Sequence, residues 1–168
     1  MAFYYFDTRA LVKRYVTEIG STWVEQVCAA QDETLNERIN VILVSELTFV
    51  EVAAAIAKRV HKTKELDTQK GEDAYALFVK QAGVEYQLVP LTTERIHSAA
   101  ALAHKHALRA YDALQLALAV HADALLKVNA LTLTFVAADK VLLQTAQSEG
   151  LATDSPHHHA DLDQQPSN

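Results

Sequence analysis

The stretch AFYYFDTRALVKRY (2–15) decides how the chain begins to fold. Residues 2–6 are apolar or aromatic, which favours a short buried strand. Asp7 follows directly, and from Thr8 to Val16 the pattern becomes helical. A carboxylate between a buried strand and a helix is costly in apolar surroundings unless something compensates its charge. Asp7 can cap the helix, as Asp commonly does, and it is also the first candidate functional residue.

Three further carboxylates lie where an apolar strand passes into a helix, or just inside that helix. They are Glu51 in VSELTFVEVAAAIAKR (44–59), Asp112 in LRAYDALQLALAV (108–120) and Asp139 in LTLTFVAADKVLL (131–143). The carboxyl ends of parallel strands form one edge of a sheet, so all four acids are expected to gather there. A hard divalent cation such as Mg2+ takes oxygen ligands, and metal ions can stabilise the attacking and leaving oxygens of a phosphodiester. We therefore predict a metal site for phosphodiester chemistry.

Strands and helices alternate along the chain, which predicts an α/β sandwich of three layers around a mostly parallel sheet of four or five strands. Besides 2–6, strands are predicted at 40–45, 86–89 and 131–137, with 151–153 as a candidate edge strand. Helices are predicted at 22–30, 46–61, 63–83, 93–106, 108–126 and 139–150, and residues 31–38 are expected to form a loop.

The composition suits one compact domain. The chain has 168 residues, half of them hydrophobic, and a formal net charge of −6, which disfavours tight, non-specific binding of nucleic acid by a monomer. Cys28 is the only cysteine, so no intramolecular disulfide can form, which fits a reducing cytoplasm. We expect neither a secretory signal nor a membrane span, because charges interrupt the early apolar stretch and the later ones are short.

The domain is expected to occupy residues 1–153. The remaining residues, DSPHHHADLDQQPSN (154–168), are polar and show no apolar periodicity, which predicts a disordered tail.

Glu46 is an alternative to Glu51. With Ser45 as the N-cap, Glu46 would lie in the first helical turn, where the helix dipole alone stabilises an anion. Glu51 would lie deeper, among valine and alanine, where an unpaired carboxylate is costly. Glu51 is therefore the preferred site residue, and Glu46 is a candidate for a supporting role.

Four segments together resemble the motifs of PIN-domain ribonucleases, in the same order along the chain. These segments are YFDTRALVKRY (5–15), ELTFVEVAAAIAKR (46–59), LRAYDALQLALA (108–119) and LTFVAAD (133–139). The resemblance spans about residues 3–152. Within the family, the chain is most similar to the VapC-like toxins of bacterial and archaeal toxin–antitoxin pairs. It implies a PIN-like fold and an endoribonuclease that depends on Mg2+ or Mn2+ and cleaves single-stranded RNA. It also implies a homodimer that a cognate antitoxin silences.

The resemblance implies that Asp7, Glu51, Asp112 and Asp139 are the catalytic and metal-binding acids. The chain departs from the family pattern at Arg9, where the family usually has Ser or Asn, and at Ala137, where Thr or Ser is common. Arg9 would either block the site or contact a phosphate. Weaker candidates for supporting the site or contacting RNA are Thr8, Arg9, Arg14, Glu46 and Arg109.

Two alternatives stay open. The same site could serve a nuclease or phosphatase acting on DNA or a small phosphoester. The departures at Arg9 and Ala137 instead allow a catalytically weak binding module that acts through a partner protein. The sequence lacks a Ser-His-Asp order, a CxxC pair, a GxGxxG run and a Walker loop, which removes other common chemistries. Trp23 and Val27 are expected to belong to the dimer interface, because this part of the chain has more apolar residues than the core of one subunit needs.

Overall fold

A parallel sheet of five strands forms the centre of the computed structural model, which describes residues 1–32 and 37–164. The strands of the described residues, numbered along the chain, are β1 (Ala2–Phe6), β2 (Gln31–Asp32), β3 (Glu37–Arg38), β4 (Asn40–Ser45), β5 (Tyr86–Val89), β6 (Leu133–Val136) and β7 (Ala152–Asp154). Of these, β2 and β3 lie outside the five-stranded sheet. The sheet has the order β5-β4-β1-β6-β7, and all its pairs are parallel. The predicted loop at 31–38 contains β2 and β3, a short antiparallel pair, and its residues 33–36 lie outside the described ranges.

Helices cover both faces of the sheet. They are α1 (Thr8–Leu11), α2 (Ser21–Ala29), α3 (Thr48–His61), α4 (Thr68–Ala82), α5 (Thr93–His106), α6 (Ala110–Lys127) and α7 (Lys140–Ser148). On β1, Phe6 packs into a core shared with α2, α3 and α4, whereas Tyr5 packs into the opposite core with α6 and α7. This alternation is the ordinary period of a strand, and it confirms the three-layer α/β/α sandwich. Within the described ranges, none of these helices has the length and apolar character needed to cross a membrane.

The central position of β1 places Asp7 in the middle of the carboxyl edge of the sheet. β1 pairs with β4 on one side and with β6 on the other. The backbone N–H of Asp7 donates a 2.8 Å hydrogen bond to the carbonyl of Val136, which extends the pairing one residue past the end of β1. Asp7 is therefore held by its backbone to the neighbouring strand before its side chain makes any contact.

Helix α3 begins later than the sequence predicts. Its first residue is Thr48, and the expected N-cap, Ser45, instead accepts a hydrogen bond from the backbone of Leu47 at 3.0 Å. Glu46 consequently lies in the turn before the helix and not in its first turn. Glu51 is the residue that occupies the first turn, so the helix dipole stabilises Glu51 and not Glu46.

The C-terminal segment differs from the disordered tail that the sequence predicts. Residues Pro156–Gln164 form two short 3-10 helices that meet at a kink at His159, and the segment packs on α2. The Asp163 carboxylate accepts hydrogen bonds from the backbone N–H groups of Gly20 and Thr22, at 2.6 and 3.0 Å. These N–H groups lie at the start of α2, where they have no partner within the helix and attract an anion. Residues 165–168 lie outside the described ranges.

Trp23 and Val27 belong to the core of the subunit. Each is 9% exposed and packs in the cluster between α2 and the sheet. The ring of Trp23 also stacks on the imidazole of His159, with 4.4 Å between the ring centroids. These two side chains therefore provide no surface for a dimer, and that part of the expectation was wrong.

Candidate active site

Asp7 is a buried carboxylate at the start of α1. Its side chain is the N-cap of that helix and accepts a 3.2 Å hydrogen bond from the backbone of Arg9. Only 3% of the residue is exposed. Burial and the nearby charge of Glu51 raise the pKa of Asp7 to about 7, although the positive charge of Arg9 acts in the opposite direction. Capping alone does not require such burial, so the position is suited to a ligand of a cation.

Glu51 is held by two neutral donors. Its Oε2 atom accepts hydrogen bonds from Thr8 Oγ1 at 2.8 Å and from Gln115 Nε2 at 2.5 Å. Thr8, on α1, is itself buried beside Thr48 of α3, with 3.4 Å between the hydroxyl oxygens. The two donors fix the direction of the Glu51 carboxylate while leaving its negative charge uncompensated.

Gln115 is a functional candidate that the sequence reasoning missed. It is fully buried in α6, where its amide oxygen accepts a 2.8 Å hydrogen bond from the Tyr5 hydroxyl. Its Nε2 atom donates to Thr8 at 3.2 Å as well as to Glu51. The available signal was a single amide in the apolar run ALQLALAV, three residues after Asp112 and therefore on the same face of the helix.

Asp112 and Asp139 form the other half of the site. Asp112 lies in the first turn of α6 and Asp139 is the N-cap of α7, where its Oδ1 atom accepts a 2.9 Å hydrogen bond from Leu142 N. The guanidinium of Arg9 lies between the two acids. Its Nη2 is 3.5 Å from Asp112 Oδ1, and its Nη1 is 3.3 Å from Asp139 Oδ2. Arg9 therefore joins both carboxylates with one positive charge.

The chemistry of the donor set fits a hard divalent cation, since all four side chains offer carboxylate oxygens. Asp112 also contributes to the raised pKa of Asp7, so the two halves of the site adjoin each other. Across residues 1–32 and 37–164, however, no three side chains of His, Cys, Asp or Glu are close enough together to hold a metal ion as they stand. A bound ion would have to draw the carboxylates nearer to one another.

Comparison with known proteins identifies the family. The profile of the PIN domain matches residues 4–146. This chain belongs to the PIN-domain family. A solved structure, described as VapBC2 from Rickettsia felis bound to a DNA fragment from their promoter, has a similar fold with a TM-score of 0.57. The match covers 91% of this chain and 98% of that one at 11% sequence identity, and no curated protein matches by sequence.

Ala137 lies beneath the site of this PIN domain without contributing to it. It is fully buried just after β6, and its backbone N–H donates to the carbonyl of Asp154 at 3.2 Å. Its methyl group offers no polar contact to Asp139, two residues later. The departure at Ala137 therefore removes a polar neighbour, whereas the departure at Arg9 adds a charge.

Glu46 makes its contacts away from the four acids. Its carboxylate accepts a 2.9 Å hydrogen bond from the backbone of Leu91, and its own backbone N–H donates to Val89. These contacts tie the turn before α3 to the end of β5. The structure thus gives Glu46 a local role in the loop, in place of the supporting role predicted for it.

Arg14 is a structural residue, which corrects its assignment as an RNA contact. Only 2% of its side chain is exposed. The guanidinium bonds to Glu25 at 2.8 Å, Glu85 at 2.6 Å and the Tyr86 hydroxyl at 2.7 Å. Arg109 is different, because it is exposed at the N-cap of α6 and lines a recess of about 220 Å³ with Asp112 and Asp139.

A larger groove, of about 540 Å³, opens beside the Glu51 half of the site. Its walls are largely apolar and include Val50, Ala54 and the half-exposed ring of Tyr111. Lys13 and Arg59 also line the groove, and each pairs with Glu18. The groove therefore combines an apolar wall with Glu51 of the acidic site and with the ion pairs of Glu18.

Proposed function

We propose that this PIN domain is an endoribonuclease that depends on Mg2+ or Mn2+, cleaves single-stranded RNA and serves as the toxin of a toxin–antitoxin pair in the cytoplasm. The observation that carries the proposal is the burial of the Asp7 carboxylate where the charges of Glu51 and Asp112 both raise its pKa. Two adjoining acids at the carboxyl edge of a sheet repel each other, so the arrangement is costly unless a cation binds there.

The residues of the site have separate parts in the proposed reaction. Thr8 and Gln115 hold Glu51 in one direction, and the carboxylates together would hold the metal ion. When bound, Mg2+ or Mn2+ supplies a water of lowered pKa and stabilises charge on the leaving oxygen. A carboxylate of the set would accept a proton from the attacking water. The RNA 2′-hydroxyl has no part in this chemistry, so the products are 5′-phosphate and 3′-hydroxyl ends.

The groove beside Glu51 supports a single-stranded substrate. Tyr111 offers an exposed ring on which an unpaired base can stack, and the exposed Arg109 can approach backbone phosphates. A duplex would keep its bases stacked inside and present only phosphates to the apolar wall.

Cleavage of matched substrates tests the catalytic part. The full chain is incubated with single-stranded RNA, with DNA of the same sequence and with p-nitrophenyl phosphate, each with Mg2+, Mn2+ or EDTA. We expect cleavage of RNA alone, its loss in EDTA, and 5′-phosphate ends. Cleavage of DNA or of the small phosphoester would favour the alternative of a broader nuclease or phosphatase.

The toxin part rests on the family and on the fold shared with the VapBC2 structure. Expression of the chain in bacteria should stop growth, and expression of Glu51→Gln should not. Co-expression of a neighbouring small reading frame should restore growth if that frame encodes the antitoxin. We also retain the homodimer as a proposal that rests on the resemblance alone, and light scattering of the purified chain at high micromolar concentration tests it.

A catalytically weak binding module is the second candidate, because Arg9 already pairs with two of the four acids. That candidate predicts no metal-dependent cleavage of any substrate, together with stable binding of a partner protein.

A further inference from the structure

Arg9 is a resident cation in the Asp112–Asp139 half of the site. Its two terminal nitrogens lie 3.5 Å from Asp112 and 3.3 Å from Asp139, so one guanidinium spans both carboxylates. Such a planar fork matches two acceptors at once, which a small residue such as Ser cannot do. The side chain thus occupies the space between two of the acids that would otherwise face each other.

The backbone holds Arg9 in this position. Its N–H donates to the Asp7 carboxylate at 3.2 Å, in the first turn of α1, so the start of the Arg9 side chain is fixed relative to the central acid. Asp139 is fixed as well, because its other oxygen caps α7 through Leu142. Two of the three members of this bridge are therefore anchored to helix starts.

In the described residues no cation forms an ion pair with Asp7 or Glu51, although the charge of Arg9 acts on Asp7 from the other half of the site. Glu51 receives only the hydroxyl of Thr8 and the amide of Gln115, which are neutral. Asp7 receives a backbone N–H. Among the described residues, the formal charge left for an external cation is consequently concentrated on this half.

We propose that the site takes one divalent ion, in the Asp7–Glu51 half, and that the Arg9 guanidinium stands in place of a second ion between Asp112 and Asp139. This inference rests on the proposed metal-dependent function and deepens it. The ion and the guanidinium would together leave the four carboxylates with about one uncompensated charge, whereas two ions beside Arg9 would make the site positive. Half of the Arg9 side chain is exposed, so its guanidinium can also face a phosphate oxygen of the substrate.

Counting bound Mn2+ tests this inference without any reading of activity. The full chain is titrated with Mn2+, and free Mn2+ is measured by electron paramagnetic resonance. We expect one ion per wild-type chain and two per Arg9→Ser chain, because the variant frees Asp112 and Asp139. Arg9→Lys keeps the charge and should bind one ion.

Two further variants locate the second ion. In the Arg9→Ser background, Asp139→Asn should return the count to one. In the wild-type background, Lys140→Ser removes a positive charge from the exposed residue next to Asp139. This variant should still bind one ion, so it controls for the change in net charge alone.

The inference is overturned if the wild type binds two ions, if Arg9→Ser binds only one, or if neither chain binds Mn2+. The proposed ribonuclease function is judged by the separate cleavage assay. A wild type that binds one ion but cleaves no RNA would refute the function and leave the assignment of Arg9 standing.

Discussion

Gln115 donates a 2.5 Å hydrogen bond to Glu51 while its amide oxygen receives the hydroxyl of Tyr5. One buried amide therefore connects a residue of the central strand to a carboxylate on α3. Both ends of the amide are in use, so its orientation is set by its neighbours, and it in turn sets the orientation of the carboxylate.

Replacement of Gln115 by Leu should lower both stability and activity. The change leaves the buried Tyr5 hydroxyl without an acceptor, which costs about 1–3 kcal/mol in the free energy of unfolding. Urea denaturation measures that loss, and cleavage assays below the unfolding transition measure the loss of activity. Gln147→Leu is the matched control, because Gln147 makes an exposed hydrogen bond to Thr153. Equal effects of the two changes would contradict the role given to Gln115.

Asp7→Asn should abolish cleavage and stabilise the metal-free protein at pH 8. The pKa of Asp7 is about 7 in the folded chain against an ordinary value of 3.8, so the folded state binds the proton more tightly. The wild type therefore loses stability as pH rises from about 4 to 7, by about 4 kcal/mol in total. Asn has no charge to titrate but still accepts the capping hydrogen bond.

Urea denaturation in EDTA, from pH 4.5 to 8.5, measures this difference between the wild type and Asp7→Asn. The free energy of unfolding of Asp7→Asn should exceed that of the wild type by an amount that grows up to about pH 7 and then levels off. A difference that does not vary with pH would show that Asp7 titrates normally.

Glu51→Gln and Glu46→Gln should separate the two acids of this region. Glu51→Gln should remove metal-dependent cleavage with the fold intact, since Gln still accepts from Thr8 and the helix dipole contributes only about 0.3–1 kcal/mol. Glu46→Gln keeps an acceptor for the Leu91 N–H and should keep its activity, with a stability change within about 0.5 kcal/mol. Cleavage assays of the two variants side by side at saturating Mg2+ test this prediction. An inactive Glu46→Gln together with an active Glu51→Gln would reverse the assignment.

Arg14→Met should affect folding and not RNA binding. It leaves Glu85 in a mostly buried position with fewer partners and should cost about 3 kcal/mol in the free energy of unfolding. Arg109→Met, at an exposed position, should cost less than about 0.5 kcal/mol and should instead weaken RNA binding. Chemical denaturation and fluorescence anisotropy with labelled RNA measure the two effects. Weaker RNA binding by folded Arg14→Met would contradict this division.

The sequence predicts the sheet well because its strands are short apolar runs with clear ends. The bounds of β1, β4 and β5 agree with the predicted strands at 2–6, 40–45 and 86–89. The placement of Asp7 at the carboxyl edge follows from the end of β1, and that of Asp139 follows from the end of β6, since parallel strands end at the same edge. Metal binding by the four acids stays a prediction.

Contacts between residues far apart in the chain escape this kind of reasoning. Gln115 and Glu51 are 64 positions apart, and Arg14 meets partners from two other segments, so no local pattern identifies the partners of either residue. The last segment is polar, which predicts disorder, yet Asp163 finds backbone donors at the start of α2. The sequence predicts a helical Glu46 because Ser45 is a good N-cap, but Ser45 caps only a turn.

The stacking of His159 on Trp23 makes the C-terminal segment visible to spectroscopy. Trp23 is the only tryptophan of the chain, so its fluorescence is an intrinsic probe of the place where that segment docks. If the segment undocks before the sheet unfolds, a fluorescence transition will precede the loss of circular dichroism. A substitution at Gly20 should make the fluorescence transition occur under milder denaturing conditions. Gly20 has a φ of +87°, and an added Cβ would collide with the backbone of Pro156. A chain cut after residue 153 would lose this optical signal of docking and expose the indole to water.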